Sequence, residues 1–175
     1  MLILLVLLVW KFLWPRIFYN IRAFSGDGQI TDTGFWSYPR YHVEFRNVPI
    51  NERSTTKFSF SGVPAEAFSF KLRIGSAADS RLLEDNLDKI LDKITVRVSL
   101  KDQHGNVICE ASDSLRKWYL TSSQIKECFW HNRCRDVRLS HTAAYTLEVK
   151  VDPAATDLPK ILLKPVLEGG GNETL

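Results

Sequence analysis

The amino-acid sequence predicts a mainly β protein: an antiparallel β-sandwich with one amphipathic helix, preceded by an N-terminal hydrophobic anchor helix. Three observations predict this fold class. Several segments alternate apolar and polar residues with a period of two, which is typical of antiparallel strands that bury one face. One segment instead carries apolar residues at helical spacing. The chain also begins with ten consecutive apolar residues, a pattern that favours membrane targeting.

The apolar N-terminal run predicts a membrane anchor or signal-like helix over residues 1–22. The run is shorter than the roughly 20 apolar residues that a spanning helix needs. The helix could still span if Lys11 and Arg16 extend their charged ends towards the interface. The alternative is a helix buried within the domain. The positions expected to contact the membrane are Leu2, Leu5, Leu8, Trp10 and Trp14.

The sequence leaves open which side of the membrane the domain occupies. Lys11, Arg16 and Arg22 follow the apolar run, and basic residues beside a span favour the cytoplasmic side. No cleavage site of the Ala-x-Ala kind follows the run, so the segment reads as uncleaved. We nevertheless expect a membrane-anchored protein with an extracytoplasmic domain, against the argument from the basic residues.

The remaining chain divides into a connector at residues 23–40, a β-sandwich domain at residues 41–168 and a flexible tail at residues 169–175. The connector is rich in Gly, Ser, Thr and Asp, as loops are. Period-two alternation predicts seven strands, at residues 41–48, 56–63, 67–74, 94–100, 107–112, 144–151 and 160–167. A turn at residues 101–106 joins the fourth and fifth as a hairpin. The amphipathic helix is predicted over residues 79–94, with an apolar stripe of Leu83, Leu87, Ile90, Leu91 and Ile94.

The segment "ECFWHNRCRD", residues 127–136, gathers the residues that could carry chemistry. Cys128, His131 and Cys134 could bind zinc if Cys109 or His141 supplied a fourth ligand, although zinc sites usually come as two separated pairs of ligands. A disulfide among the three cysteines is the stronger alternative if the domain is extracytoplasmic. Inside the cytoplasm we expect three reduced thiols, inert or reactive. The sequence does not choose the connectivity.

Exposed aromatic residues are a second candidate site. Trp36, Tyr38 and Trp118 could stack on sugar rings if they lie at the surface of the sandwich. The alternative, which we favour for Trp36 and Tyr38, is that they rest on the domain or touch the membrane interface near the anchor.

The composition and motifs exclude some functions and leave others. The net charge is +3 and the basic residues are dispersed, so a nucleic acid is not an expected partner. The chain has no phosphate-binding loop, no nucleophile elbow and no His-Glu-x-x-His motif, and no cofactor or catalytic residue is predicted. We expect a non-catalytic, membrane-tethered domain that serves binding or assembly at the cell envelope, with an envelope protein or a glycan as partner. The alternatives are a carbohydrate-recognition module and a Cys/His zinc or thiol site.

Overall fold

The computed structural model describes residues 23–32, 41–65, 67–74, 90, 92–118, 128–131, 137–154, 158 and 160–169. In this part of the chain the protein is mainly β, with two antiparallel sheets and little helix. The mainly β prediction is therefore confirmed. The anchor at residues 1–22, the aromatic residues Trp36 and Tyr38, and most of the helix at 79–94 lie outside the described residues.

Eleven strands and one short helix make up the described fold. Their bounds, in chain order, are β1 Ser25–Gly26, β2 Gln29–Asp32, β3 Tyr41–Glu44, β4 Val48–Pro49, β5 Ser54–Ser61, β6 Phe68–Ile74, β7 Ile94–Asp102, β8 Val107–Ser114, α1 Leu115–Trp118, β9 Cys128–His131, β10 Ala144–Pro153 and β11 Leu162–Gly169.

The strands form a first sheet in the order β1-β5-β10-β7-β8 and a second sheet in the order β2-β3-β11-β6-β9. The short β4 also pairs with β11. β7 and β8 form the predicted hairpin, with a register shift between Leu100 and Lys101. β11 lies in the middle of the second sheet, between β3 and β6. Strands that are distant in sequence are therefore neighbours, and their outward side chains share one face of the sheet.

One hydrophobic core is shared by both sheets. The first sheet contributes residues such as Phe58 and Leu147, and the second contributes Phe70 and Leu72. The ring of Phe45 packs against Phe58, with 4.9 Å between ring centroids. The period-two pattern places these residues on one face of each strand because successive side chains of a strand point to opposite faces. The polar residues between them are left on the outer face of each sheet.

The predicted connector is wrong for its first part, because residues 23–32 supply β1 and β2. Gly26 pairs with Phe60 of β5 at a φ of 116°, and a Cβ there would lie 2.2 Å from the Ser59 carbonyl oxygen. Glycine alone fits this approach. The predicted tail also begins too early, since Gly169 is the last residue of β11 and pairs with Tyr41.

The helical residues of the structure differ in two ways from the sequence prediction. Ile90 is helical and fully buried, as the stripe predicts, but Ile94 is the first residue of β7 and not the end of a helix. The short helix α1 was not predicted. In the described ranges, no helix has the length and apolar character needed to cross a membrane.

Candidate functional site

The outer face of the second sheet carries an ion-paired group of side chains from three adjacent strands. These residues alternate with core residues along β3, β6 and β11, so they project away from the core. We call this group the charged cluster: His42, Glu44, Lys71, Arg73, Lys164 and Glu168.

Glu44 is the centre of the exposed part of the cluster. Arg73 Nη1 donates to its Oε1 at 2.8 Å, and Lys164 Nζ donates to its Oε2 at 3.0 Å. His42 Nε2 lies 3.9 Å from Oε1. Both carboxylate oxygens therefore have a cationic partner, and the two partners come from different strands.

Glu168 is the buried part of the cluster, with 4% of its side chain exposed. Lys71 forms an ion pair with one carboxylate oxygen, and Arg73 Nη2 lies 3.5 Å from the other. A buried carboxylate costs several kcal/mol unless it is paired. Glu168 therefore depends on Lys71 and Arg73 to be tolerated at this depth.

The contact between Arg73 and Glu44 crosses a whole strand. Arg73 is on β6 and Glu44 is on β3, whereas β11 runs between these two strands. Val166 of β11 is the cross-strand neighbour of Glu44 and is fully buried, although it is not part of the hydrophobic core cluster. Long cationic side chains can cover apolar surface with their methylene groups. We infer that the bridging side chains help to cover Val166.

The electrostatics of the cluster favour the ionised form of Glu44. Partial burial acts to raise the pKa of Glu44, but the hydrogen bond from Lys164 and the charges of Lys164, Arg73 and His42 outweigh it, so the pKa lies below its usual range. Apart from His42, the cluster holds three Lys and Arg cations against two carboxylates, an excess of one positive charge.

The outer face of the first sheet also carries ion pairs, but some of their cations are more exposed to solvent. Glu148 accepts a hydrogen bond from Lys101 Nζ at 2.9 Å and lies 3.6 Å from Lys57 Nζ. Arg97 Nη2 lies 2.5 Å from Glu110 Oε2. Lys57 and Arg97 are 64% and 52% exposed, whereas no member of the charged cluster exceeds 35%. The first sheet therefore presents a solvated face, and the charged cluster is the more enclosed of the two.

The structure describes only part of the predicted cysteine and histidine site. Cys109 is in β8, is 7% exposed and belongs to the core cluster. Cys128 and His131 are the first and last residues of β9, which pairs with β6, but their side chains and all of Cys134 lie outside the described residues. Among the residues that the structure does describe, no group of three or more His, Cys, Asp or Glu could hold a metal ion.

The structure corrects the aromatic prediction for Trp118. Its side chain is fully buried in the core and lies in α1, which contacts β7, β8 and β9. A buried indole offers no face to a sugar ring. Trp36 and Tyr38, the other stacking candidates, and the anchor residues Leu2, Leu5, Leu8, Trp10 and Trp14 lie outside the described residues.

Sequence reasoning missed the charged cluster, although one signal of it was present. The polar positions of "YHVEF", "FKLRI" and "LLKPVLE" carry charges of both signs. Their convergence needs the strand order β3-β11-β6, which joins residues up to 120 positions apart. Alternation identifies the face of each strand but does not give the order of strands in a sheet.

Comparisons with known proteins give no family. No protein-family model matches the chain, and no curated protein matches it. Among solved structures, a glycosylation-associated protein (Gap123) complex from Streptococcus agalactiae is similar at 12% identity with a TM-score of 0.33, over 85% of this chain and 45% of that one. An arabinose-bound GH51 α-L-arabinofuranosidase is similar at 13% identity with a TM-score of 0.29, over 83% of this chain and 23% of that one. The chain thus spans less than half the length of either structure.

Proposed function

We propose that this chain is a non-catalytic, membrane-tethered β-sandwich domain that serves binding or assembly at the cell envelope. The tether is the apolar run at residues 1–10 with its continuation to residue 22. The binding surface is the outer face of a sheet, where charged side chains from neighbouring strands are held in fixed pairs.

The observation that carries this proposal is that one ion-paired carboxylate on each outer face, Glu148 and Glu44, has a lowered pKa. The pKa of Glu148 is lowered by the hydrogen bond and charge of Lys101, with a smaller effect from Lys57, and the pKa of Glu44 is lowered in its own cluster. A general acid or base works best with a pKa near the operating pH. Carboxylates with lowered pKa values, already paired with cations, suit a recognition surface better than proton transfer.

A disulfide at Cys109 is part of this proposal and supports the extracytoplasmic side. We propose that Cys109, which is buried in β8, forms this disulfide. The chain has three cysteines, so the partner in this proposal would be Cys128 or Cys134. Disulfides persist in oxidising compartments and are rare in the cytosol. Such a bond would link β8, at the edge of the first sheet, to β9 at the edge of the second or to the segment that follows it.

Cell fractionation tests the tether. The full chain is expected in the membrane fraction and should resist extraction by high salt and alkaline carbonate. A variant that lacks residues 1–22 should move to the soluble fraction with an unchanged circular dichroism spectrum. Recovery of the full chain in the soluble fraction would contradict the proposed tether, and so would retention of the truncated chain in the membrane.

A further inference from the structure

The charged cluster is rich in hydrogen-bond donors. Lys71, Arg73 and Lys164 carry many more N–H groups than the four ion-pair contacts that they make with Glu44 and Glu168. The cluster also carries one positive charge in excess, which favours a negatively charged ligand. A ligand that fits this surface must therefore supply acceptors and negative charge.

The two most exposed cations of the cluster lie directly opposite each other. Arg73 of β6 pairs with Lys164 of β11, and their side chains are 35% and 34% exposed. Like charges at directly opposed positions of a sheet destabilise it. Glu44 relieves the repulsion, because one carboxylate oxygen contacts Arg73 and the other contacts Lys164.

We propose that Arg73 and Lys164, with Lys71 beside them, form a binding site for an oxyanion group such as a phosphate or a carboxylate. This site deepens the proposed binding function, on which it rests, by giving the chemistry of the ligand. The Glu44 carboxylate is itself an oxyanion held by both cations, at 2.8 Å from Arg73 and 3.0 Å from Lys164. Glu44 therefore acts as an internal competitor for the external group.

The donor chemistry selects the ligand. A planar guanidinium matches the spacing of oxygens in a carboxylate or phosphate, and a neighbouring ammonium adds a compact positive charge. Val166, the cross-strand neighbour of Lys71, is fully buried and gives the site an apolar floor. Charge-assisted hydrogen bonds are stronger over such a floor than in open water.

Titration of the purified full chain with inorganic phosphate tests the site. The chain is held in a neutral detergent at constant ionic strength, and binding is measured by calorimetry. Arg73→Gln and Lys164→Gln should each weaken phosphate binding about tenfold, the loss expected when one charge-assisted bond is removed. Glu44→Gln should strengthen binding several-fold, because it removes the competing negative charge while it keeps the shape of the side chain.

The first sheet provides matched controls. Arg97→Gln and Glu110→Gln alter a single ion pair on the other outer face, with contact at 2.5 Å, and should leave phosphate binding unchanged. A circular dichroism spectrum and a melting temperature for each variant show that it is folded. Phosphate binding that is unchanged in both Arg73→Gln and Lys164→Gln, or not strengthened in Glu44→Gln, would overturn the site.

A second phosphate titration, with the chain in lipid nanodiscs, distinguishes a membrane lipid from a soluble group as the source of the oxyanion. In nanodiscs with anionic headgroups, phosphate should bind more weakly than in zwitterionic nanodiscs if a membrane lipid occupies the site. Equal affinity in the two nanodiscs identifies a soluble or polymer-borne group. Fractionation tests the tether independently, so failure of the proposed function and failure of the oxyanion site give different results.

Discussion

At the scale of single residues, the fold depends on a few close approaches that only one residue type satisfies. Gly169 ends β11 opposite Tyr41, and a Cβ on it would lie 2.1 Å from Tyr41 Cζ. The Tyr41 ring thus occupies the space that any other residue at position 169 would need. Alternation in "KILLKPVL" predicts the strand, but nothing in the sequence indicates that a tyrosine 128 positions earlier covers the glycine that ends it.

Gly169→Ala is expected to destabilise the protein by about 1–3 kcal/mol, because the added methyl group must displace the buried Tyr41 ring. Its free energy of unfolding is measured by urea titration. Gly105→Ala is the control: a Cβ there meets nothing within 4 Å, so its cost is limited to the strain of its positive φ. Equal losses for the two variants would contradict the steric explanation.

Removal of the side-chain hydroxyl should affect stability differently at Tyr41 and at Tyr145. Tyr145 Oη accepts a hydrogen bond from Ser140 N at 2.6 Å, whereas Tyr41 Oη is buried with no hydrogen-bond partner in the structure. Burial, followed by the nearby Tyr145, raises the pKa of Tyr41, so its hydroxyl stays neutral. Tyr145→Phe should cost about 1 kcal/mol, and Tyr41→Phe should be neutral or stabilising. Thermal unfolding of both variants checks this, and a larger loss for Tyr41→Phe would refute it.

At the scale of elements, the alternation in the sequence predicts strands well where they are long and apolar on one face. β7, β8 and their hairpin turn agree with the predicted segments. β1 and β2 were missed because "SGDGQITD" has turn composition and only one large apolar residue. These strands owe their structure to pairing with β5 and β3 and not to local preference.

The ion pairs of the two sheets should differ in their contribution to stability. Glu168 is 4% exposed, and Glu148 is 22% exposed. Glu168→Gln leaves Lys71 short of a buried counter-charge and should cost about 3 kcal/mol. Glu148→Gln, on the more solvated face, should cost at most about 1 kcal/mol. Chemical denaturation of the two variants measures the difference. A Glu148→Gln loss as large as that of Glu168→Gln would contradict the distinction between the faces.

The hairpin turn between β7 and β8 should respond to pH. Asp102 accepts hydrogen bonds from Asn106 Nδ2 and N and from His104 N, each at 2.8–2.9 Å. These bonds, led by the one from the Asn106 side chain, lower the pKa of Asp102. A lowered pKa stabilises the fold above the pKa of the unfolded chain, about 3.9, and this contribution is lost as the pH falls through the folded value.

Asp102→Ala should therefore narrow the difference in stability between neutral and acidic pH. The free energy of unfolding of the wild type and of the variant is compared at successive pH values. The two curves should converge at acid pH, where Asp102 is protonated in both states. A gap of constant size across this range would contradict the role of the ionised carboxylate.

At the scale of the whole molecule, two sheets enclose one core and each turns a polar face outwards. The core could be predicted because apolar positions recur with period two. The candidate site could not, because the charged cluster forms only when β11 inserts between β3 and β6. The cysteine segment stays a prediction, because most of it lies outside the described residues and its spacing alone does not separate a metal site from a disulfide.

The most direct test of the account is the state of the cysteines in the full chain within intact cells. A membrane-impermeant alkylating reagent is applied with and without prior reduction, and the protein from the membrane fraction is analysed by mass spectrometry. We expect one disulfide that contains Cys109 and a single remaining thiol, which places the domain in an oxidising compartment outside the cytoplasm. Three thiols that react only after lysis would contradict this account, since the domain would then face the cytoplasm.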